Sequence, residues 1–244
     1  MLEIKGLSLG YGGAAILDGV DLSVVTGQIV SLVGPSGSGK SSILRAVIGL
    51  QPKLAGSITL AVPPSDIGML FQDDALLPWR TARDNVALGL RARGVAGPER
   101  ARIADDWLAR MGLKGLEDRF PGRLSGGQRK RVALAQVMAL APKFILMDEP
   151  FGALDAIVRH RITQDLLRLV EGQGITVLLV THDLEEALAL SDAVYLLSSG
   201  PHAHIAAYHQ VDLPRPRDLA TVRADPRFGP MVAKLWADLS AVVA

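Results

Sequence analysis

Hydrophobic and polar residues alternate at the start of the chain, and further along the apolar residues form continuous runs. Over residues 1–25, apolar positions recur at every second or third residue in two stretches separated by Gly12-Gly13. This alternation predicts two antiparallel strands with one face buried. The apolar positions of the two strands are Leu2, Ile4, Leu7 and Leu9, followed by Val20, Leu22 and Val24.

Four later apolar runs do not alternate, at residues 29–33, 67–71, 144–147 and 175–180. A continuous apolar strand is buried on both faces, which is typical of a largely parallel sheet covered by helices. The pattern therefore predicts an α/β fold in which this sheet is accompanied by the smaller antiparallel β subdomain.

Residues 81–140 show helical spacing with breaks at Gly94, Gly97-Pro98 and Gly112, and predict an inserted helical subdomain. The single domain of residues 1–244 then divides into a core of residues 1–80 and 141–200, which includes the antiparallel β subdomain, this insertion, and a tail of residues 201–244. The tail ends in an amphipathic helix, which we expect to pack on its own chain. Its apolar face carries Phe228, Val232, Leu235, Trp236 and Leu239.

Composition excludes several functions. A formal charge of +1 over 244 residues does not provide the basic surface of a nucleic-acid-binding protein, so no nucleic-acid partner is expected. Cysteine is absent, which excludes disulfides, thiolate metal sites and a cysteine nucleophile. The first residues do not resemble a signal peptide, and no stretch approaches the ~20 apolar residues of a spanning helix.

A glycine-rich segment follows the apolar run 29–33 and precedes a helical pattern, as a phosphate-binding P-loop does. Its glycines let backbone N–H groups close on phosphates, and the helix dipole favours an anion there. Lys40 is expected to reach the β- and γ-phosphates, and the Ser41 hydroxyl to bind Mg²⁺. The segment is Gly34-Pro35-Ser36-Gly37-Ser38-Gly39-Lys40-Ser41-Ser42.

Polar residues follow the other three apolar runs: Gln72 after 67–71, Asp148-Glu149 after 144–147, and Thr181-His182 after 175–180. Ligands of open α/β sheets bind beyond the carboxyl ends of the strands, so these side chains are predicted to converge on the P-loop. Asp148 is suited to holding Mg²⁺ and Glu149 to polarising an attacking water.

A second anion site is predicted at residues 124–128, Leu-Ser-Gly-Gly-Gln. Ser125 and Gln128 form a capping box at the start of a helix, and Gly126 and Gly127 leave its first turn bare. One chain seldom needs two phosphate cradles for a single nucleotide, so this one could serve an ATP molecule held by another copy.

These residues resemble the motifs of ABC-type ATPases, in family order and over nearly the whole chain. Residues 34–41 resemble Walker A, 144–149 Walker B, 124–128 the signature motif, and 152–155 the D-loop with Asp155, while Tyr11 stands where an aromatic residue stacks on adenine. The resemblance implies a head-to-tail homodimer in which the signature motif, Ser125 to Gln128, covers the partner's γ-phosphate. It also implies ATP and Mg²⁺ as ligands, with Glu149, His182 (the switch histidine), Gln72 (the Q-loop) and Lys40 as catalytic residues, and Ser41, Gln72 and Asp148 on the metal.

A finer resemblance is to importer ATPases for nitrate, taurine and alkanesulfonates, through residues 76–86 and 211–217. It implies an integral-membrane permease partner, an indirect solute-binding protein partner, and a peripheral location on the cytoplasmic face of the inner membrane. Leu76, Leu77 and Trp79 either form a groove for the permease or belong to the core. Departures from the family at Gln28, Ser42 and Lys130 are expected to leave the chemistry untouched, and the short span 56–68 leaves room for one strand or turn fewer.

Three alternatives share some of these motifs. A soluble ABC protein of DNA repair or translation usually carries a coiled-coil insertion, zinc-binding cysteines or a second ATPase cassette, and this chain has none of them. A switch that binds ATP without hydrolysis predicts a defective Glu149 or His182, and both residues are present. A P-loop kinase would not need residues 124–128 or 152–155.

Overall fold

Two sheets organise the computed structural model, which describes residues 1–12, 14–152 and 154–243 and all of their side chains except those of Tyr11, Val242 and Val243. A three-stranded antiparallel sheet has the order β2-β1-β4, and a six-stranded sheet has the order β5-β6-β7-β3-β8-β9. The strands in the described residues are β1 (Leu2–Tyr11), β2 (Ala14–Val24), β3 (Ile29–Val33), β4 (Ala55–Leu60), β5 (Ile67–Leu70), β6 (Phe144–Asp148), β7 (Thr176–Thr181), β8 (Ala193–Leu197) and β9 (Ile205–Gln210).

The six-stranded sheet is parallel except for its last strand, β9, which pairs antiparallel with β8. Every residue of β3, β6, β7 and β8 is buried, because successive side chains enter separate hydrophobic cores on the two faces of the sheet. The parallel sheet predicted from the continuous apolar runs is confirmed, and the carboxyl ends of β3, β5, β6 and β7 lie at one edge.

The antiparallel sheet predicted from the alternating residues is also confirmed, with Leu2 paired with Val24 and Ile4 with Leu22. Its third strand, β4, pairs with the other side of β1, and a 3-10 turn at Pro64–Asp66 leads to β5. The short span 56–68 thus contains most of one strand and a single turn.

Helices cover both faces of the central sheet and form the connection between β5 and β6. Gly97 and Pro98 begin a helix rather than interrupt one, as proline at the first helical positions favours. No helix in the described residues is both long and apolar enough to span a membrane. The helices are α1 (Lys40–Val47), α2 (Ala82–Ala92), α3 (Gly97–Arg110), α4 (Gly126–Met138), α5 (Ala156–Gln173), α6 (Leu184–Leu190), α7 (Leu219–Val222) and α8 (Phe228–Val243).

The tail packs on its own chain, as expected. Phe228 and Leu235 of α8 are buried in the core that includes α6 and β8. The prediction that Trp236 shares this face is wrong: its side chain is 57% exposed, because it lies about 100° around the helix from Leu235.

Arg217 anchors the tail to the sheet. Its guanidinium is buried, donates to the Ser191 carbonyl and lies 3.4 Å from the Asp192 carboxylate, while Asp192 also accepts from the Ile29 N–H at 2.9 Å. Burial lowers the pKa of Arg217 to about 10, with Asp192 opposing the shift. The tail is therefore an integral part of the core around β3 and β8.

Candidate nucleotide site

The P-loop lies between β3 and α1, with its backbone held by close packing. Gly39 has φ of 94°, and a Cβ atom there would lie 2.9 Å from the Leu17 side chain. A Cβ atom on Gly34 would lie 2.7 Å from the Leu197 carbonyl oxygen. No side chain caps α1, so its first N–H groups remain available to a phosphate.

Lys40 is buried within the loop that precedes it. Its Nζ donates to the Gly34 carbonyl at 2.8 Å and to the Pro35 carbonyl at 2.7 Å. Burial lowers the pKa of Lys40, and the nearby charges of Glu149 and Asp148 oppose this shift. A phosphate is a stronger acceptor for this ammonium than a neutral carbonyl, so Lys40 can exchange its hydrogen bonds to the loop carbonyls for bonds to an anion.

The remaining P-loop side chains differ in exposure. Ser36 and Gly37 are exposed, and Ser42, in the first turn of α1, is buried. Ser38 is buried as well, and its hydroxyl has no hydrogen-bond partner among the described residues. A buried hydroxyl without a partner costs free energy, which fits a site whose ligand supplies the missing bond.

Asp148 ends β6 next to the first turn of α1. Its carboxylate accepts a 2.8 Å hydrogen bond from the Ser41 hydroxyl, and burial raises the pKa of Asp148. A hydroxyl oxygen and a carboxylate oxygen are the donors that Mg²⁺ prefers. The described residues contain no cluster of three or more His, Cys, Asp or Glu side chains suited to a metal ion, so Mg²⁺ would complete its shell with water and phosphate oxygens.

Glu149 contacts His182 across the ends of β6 and β7. The Glu149 Oε2 atom lies 3.0 Å from His182 Nδ1, and the Glu149 N–H donates to the Val180 carbonyl at 2.9 Å. Glu149 has φ of 42°, a conformation that costs a non-glycine residue free energy and often marks functional positions. The structure thus brings these two sequence-predicted residues together beside the P-loop.

Gln72 does not join them. It lies in the segment after β5, its side chain is exposed, and no hydrogen bond among the described residues connects that side chain with Ser41 or Asp148. Its backbone carbonyl instead accepts from Lys130 Nζ at 3.3 Å. Lys130, one of the departures from the family, thus contacts the backbone of the segment that carries Gln72, and the expectation that it leaves the chemistry untouched stays a prediction.

The capping box predicted at residues 125–128 is confirmed. The Gln128 N–H donates to Ser125 Oγ at 3.3 Å, and the Ser125 N–H donates to Gln128 Oε1 at 2.9 Å. Ser125 is exposed, as a residue that serves another copy must be. Gly126 has room for a Cβ atom, whereas a Cβ atom on Gly127 would lie 2.6 Å from Val158 of α5.

Asp155 and Tyr11 complete the sequence-predicted residues. Asp155 is exposed and caps α5, because its Oδ1 accepts from the Val158 N–H at 3.0 Å. The Tyr11 side chain lies outside the described part of the structure, as does Ala153 of the D-loop, so the predicted adenine contact stays a prediction.

Sequence reasoning missed Glu186 beneath the histidine. Its carboxylate accepts from the Thr181 hydroxyl at 2.5 Å, and that hydroxyl accepts from the Asp183 N–H at 3.1 Å. Burial raises the pKa of Glu186. The available signal was a strand-end threonine followed by Asp183, which caps α6 and places Glu186 one turn later.

Comparison with known proteins identifies the family. The family model described as ABC transporter matches residues 17–152, more than half of the chain. The taurine import ATP-binding proteins TauB of Escherichia coli (strain K12) and of Shigella sonnei (strain Ss046) are both 44% identical over 206 residues, which cover 82% of this chain and 81% of theirs.

Solved structures agree with this result. The dimeric structure of MJ0796, a bacterial ABC transporter cassette, matches with a TM-score of 0.77 at 32% identity, over 88% of this chain and all of that one. A dimeric post-hydrolysis state of MJ0796 bound to ADP and Pi matches with a TM-score of 0.76 at 31% identity over the same shares. The chain therefore belongs to the ABC transporter family, as an ATP-binding subunit that hydrolyses ATP.

Proposed function

We propose that this chain is the motor subunit of an importer for sulfonate-type solutes such as taurine, and that it acts on a separate integral-membrane permease. The observation that carries the proposal is its 44% identity, over 82% of the chain, with proteins described as taurine import ATP-binding proteins. The segments 76–86 and 211–217 support the same group, and a soluble role in DNA repair gains no support from the comparisons.

In the proposed assembly, two copies share each ATP molecule. One copy offers Lys40 and the bare start of α1, and the other offers the exposed start of α4 around Ser125. Asp155 is exposed as well, and it caps α5, whose Val158 side chain lies against Gly127 of α4. The dimeric state of the MJ0796 structures supports a homodimer, in which neither chain alone has a complete site.

The residues of the P-loop edge have distinct proposed roles. Lys40 leaves the carbonyls of Gly34 and Pro35 to hold the β- and γ-phosphates, and Ser41 and Asp148 would hold Mg²⁺, which would neutralise charge on the phosphates. Gln72 joins the metal shell only if its exposed segment moves inward. Glu149 takes a proton from the attacking water, and His182 orients its carboxylate from 3.0 Å.

Mixing two inactive variants tests the shared site. Lys40→Ala removes the phosphate contact of one half, and Ser125→Asp keeps a capping carboxylate but sets a negative charge against the partner's phosphate. Each variant alone should lose ATP hydrolysis, whereas their mixture should regain it, because the heterodimer contains one site with both halves intact. Phosphate release measured against the mixing ratio shows this. A mixture as inactive as its components would contradict the shared site.

The permease partner calls for a second experiment. We propose that the chain sits on the cytoplasmic face of the inner membrane, where Trp79, 70% exposed, offers an apolar contact while Leu76 packs inward on the core. Affinity purification from detergent-solubilised membranes should recover a polytopic protein. Vesicles holding that complex should take up taurine, an alkanesulfonate or nitrate on addition of ATP. Co-purification of nucleic acid instead would favour the soluble alternative.

A further inference from the structure

Lys130 is a lysine in a position where lysine is rarely found. It lies one turn into α4 with its side chain only 4% exposed, and its Nζ is 2.9 Å from Asp74 Oδ1. The same ammonium donates to the Gln72 carbonyl at 3.3 Å. A buried ammonium needs such partners, because an unpaired charge away from water is strongly destabilising.

The ion pair joins helix α4 to residues 71–80, a segment without regular secondary structure. Residues 71–80 contain neither strand nor helix, so side chains hold them in place. Lys130 holds the first part, at Gln72 and Asp74, and the buried Asn85 of α2 holds the second part by accepting from the Leu77 N–H at 2.7 Å.

Each end of this connection leads to an exposed residue. Ser125, five residues before Lys130, is exposed at the start of α4, and the two lie about 7.5 Å apart along the helix axis. Trp79, five residues after Asp74, is 70% exposed. A helix moves nearly as a rigid body, so a displacement of its start carries the Lys130 ammonium with it.

We infer that Lys130 is a positioning residue that passes the movement of α4 to residues 72–79 through its ion pair with Asp74 and its hydrogen bond to Gln72. The inference rests on the proposed function, in which nucleotide brings the start of α4 against the partner's phosphate. Arg129 contributes less, because its Nε is 3.5 Å from Asp74 and its side chain is 40% exposed, where a surface ion pair is weak.

A single-site fluorescent label tests this inference in the full chain. The chain has no cysteine, so Trp79→Cys accepts one environment-sensitive fluorophore at a position that is already exposed. Glu149→Gln in the same chain holds ATP without turnover. In this parent, ATP should change the emission of the label. Lys130→Met should lose most of that change while ATP affinity stays at the parent value, and Asp74→Asn should do the same.

Arg131→Met is the matched control. Arg131 is another cationic residue of α4, but its side chain pairs with Asp165 of α5 at 2.9 Å and does not reach the segment 72–79. This variant should lose stability in a thermal melt yet keep the emission change. Exchanging the charges in Lys130→Asp with Asp74→Lys should restore part of the lost signal, because the ion pair is rebuilt with its charges reversed.

Two outcomes would overturn the inference. One is a full emission change in Lys130→Met at unchanged ATP affinity, and the other is an equal loss in Arg131→Met. A parent that binds ATP without any emission change and without dimerising would overturn the proposed function itself, and the inference with it.

Discussion

The P-loop edge of the sheet and the start of α4 both present helix N-terminal amides, but their side chains are arranged differently. At the P-loop edge the side chains are engaged with one another or with backbone: Lys40 with two carbonyls, Ser41 with Asp148, and Glu149 with His182. At the start of α4 the capping box satisfies Ser125 and Gln128, and Gly126 adds no side chain.

The difference lies in buried charge. Burial lowers the pKa of Lys40 and raises the pKa of Asp148, so the P-loop edge holds charges that a bound phosphate and cation would stabilise. The start of α4 offers an anion backbone amides and the neutral Ser125 hydroxyl, with the partly exposed Arg129 guanidinium 3.8 Å from the Cβ position of Gly126. Under the proposed function, the P-loop edge supplies the reacting groups, whereas the start of α4 acts on a nucleotide held by a second copy.

The largest expected effect comes from the P-loop edge. Glu149→Gln should lower ATP turnover by about 10²–10⁴-fold, the usual contribution of a general base, because the amide keeps the shape but cannot take the proton. ATP binding should persist, since Lys40 and the loop amides are intact. Phosphate release and equilibrium nucleotide binding separate the two effects. Glu185→Gln, an exposed glutamate of α6, is the control and should keep both near wild type. Near-normal turnover in Glu149→Gln would exclude this role for Glu149.

An intermediate effect is expected at the start of α4. Its two adjacent glycines differ in the space around them, so replacing each with alanine should have a different consequence. A Cβ atom on Gly126 is 3.8 Å from the flexible end of Arg129, so Gly126→Ala should leave the melting temperature nearly unchanged. Hydrolysis should still fall, by roughly 10-fold to 10²-fold, because a methyl group at the bare turn displaces the partner's phosphate.

Gly127→Ala should act on stability instead. Its Cβ atom would lie 2.6 Å from Val158 Cγ1, and overpacking of this kind costs about 1–3 kcal/mol. The higher helix propensity of alanine returns at most about 1 kcal/mol. Chemical denaturation measures the loss, and adding Val158→Ala should recover part of it. If Gly126→Ala were the destabilised variant, the assignment of the two glycines would be reversed.

The positions of the key side chains in both regions could be predicted from the sequence because they depend on short, local patterns. A continuous apolar run fixes a buried strand, and the polar residue after it lies at the sheet edge, which placed Asp148, Glu149 and His182 correctly. The three-residue spacing of Ser125 and Gln128 likewise predicts the capping box at the start of α4, because this interaction is local and does not depend on the rest of the fold.

Contacts between distant segments could not be predicted in this way. Lys130 meets Asp74 across 56 residues, and a charged residue in a helix is normally expected to face solvent. Periodicity alone assigned Trp236 to the packed face of α8. Which of the apolar residues of this face are buried depends on where the rest of the fold lies against the helix. Residue 127 has no room for a side chain because Val158 of α5 packs against it, and no sequence pattern near residue 127 reveals this contact.

The smallest expected effect concerns Glu186, beneath the histidine. Burial raises its pKa in the folded state, so the folded chain binds a proton more readily than the unfolded chain. Its contribution to stability is therefore greatest below the unfolded pKa and is lost as the pH rises through the folded value. Above the ordinary pKa of glutamate the largely buried group costs free energy that a neutral amide does not, so Glu186→Gln, which keeps an oxygen for the Thr181 hydroxyl, should raise the melting temperature at neutral pH.

The gain from Glu186→Gln should disappear in acid, because the protonated carboxyl and the amide are then both neutral. Thermal melts of the two chains from neutral pH down to about pH 4, near the ordinary pKa of glutamate, measure this difference. Glu185→Gln is again the control, since its exposed carboxylate should give no gain at any pH. A gain that stayed constant across this range would mean that the amide improves packing and that buried charge beneath His182 carries no cost.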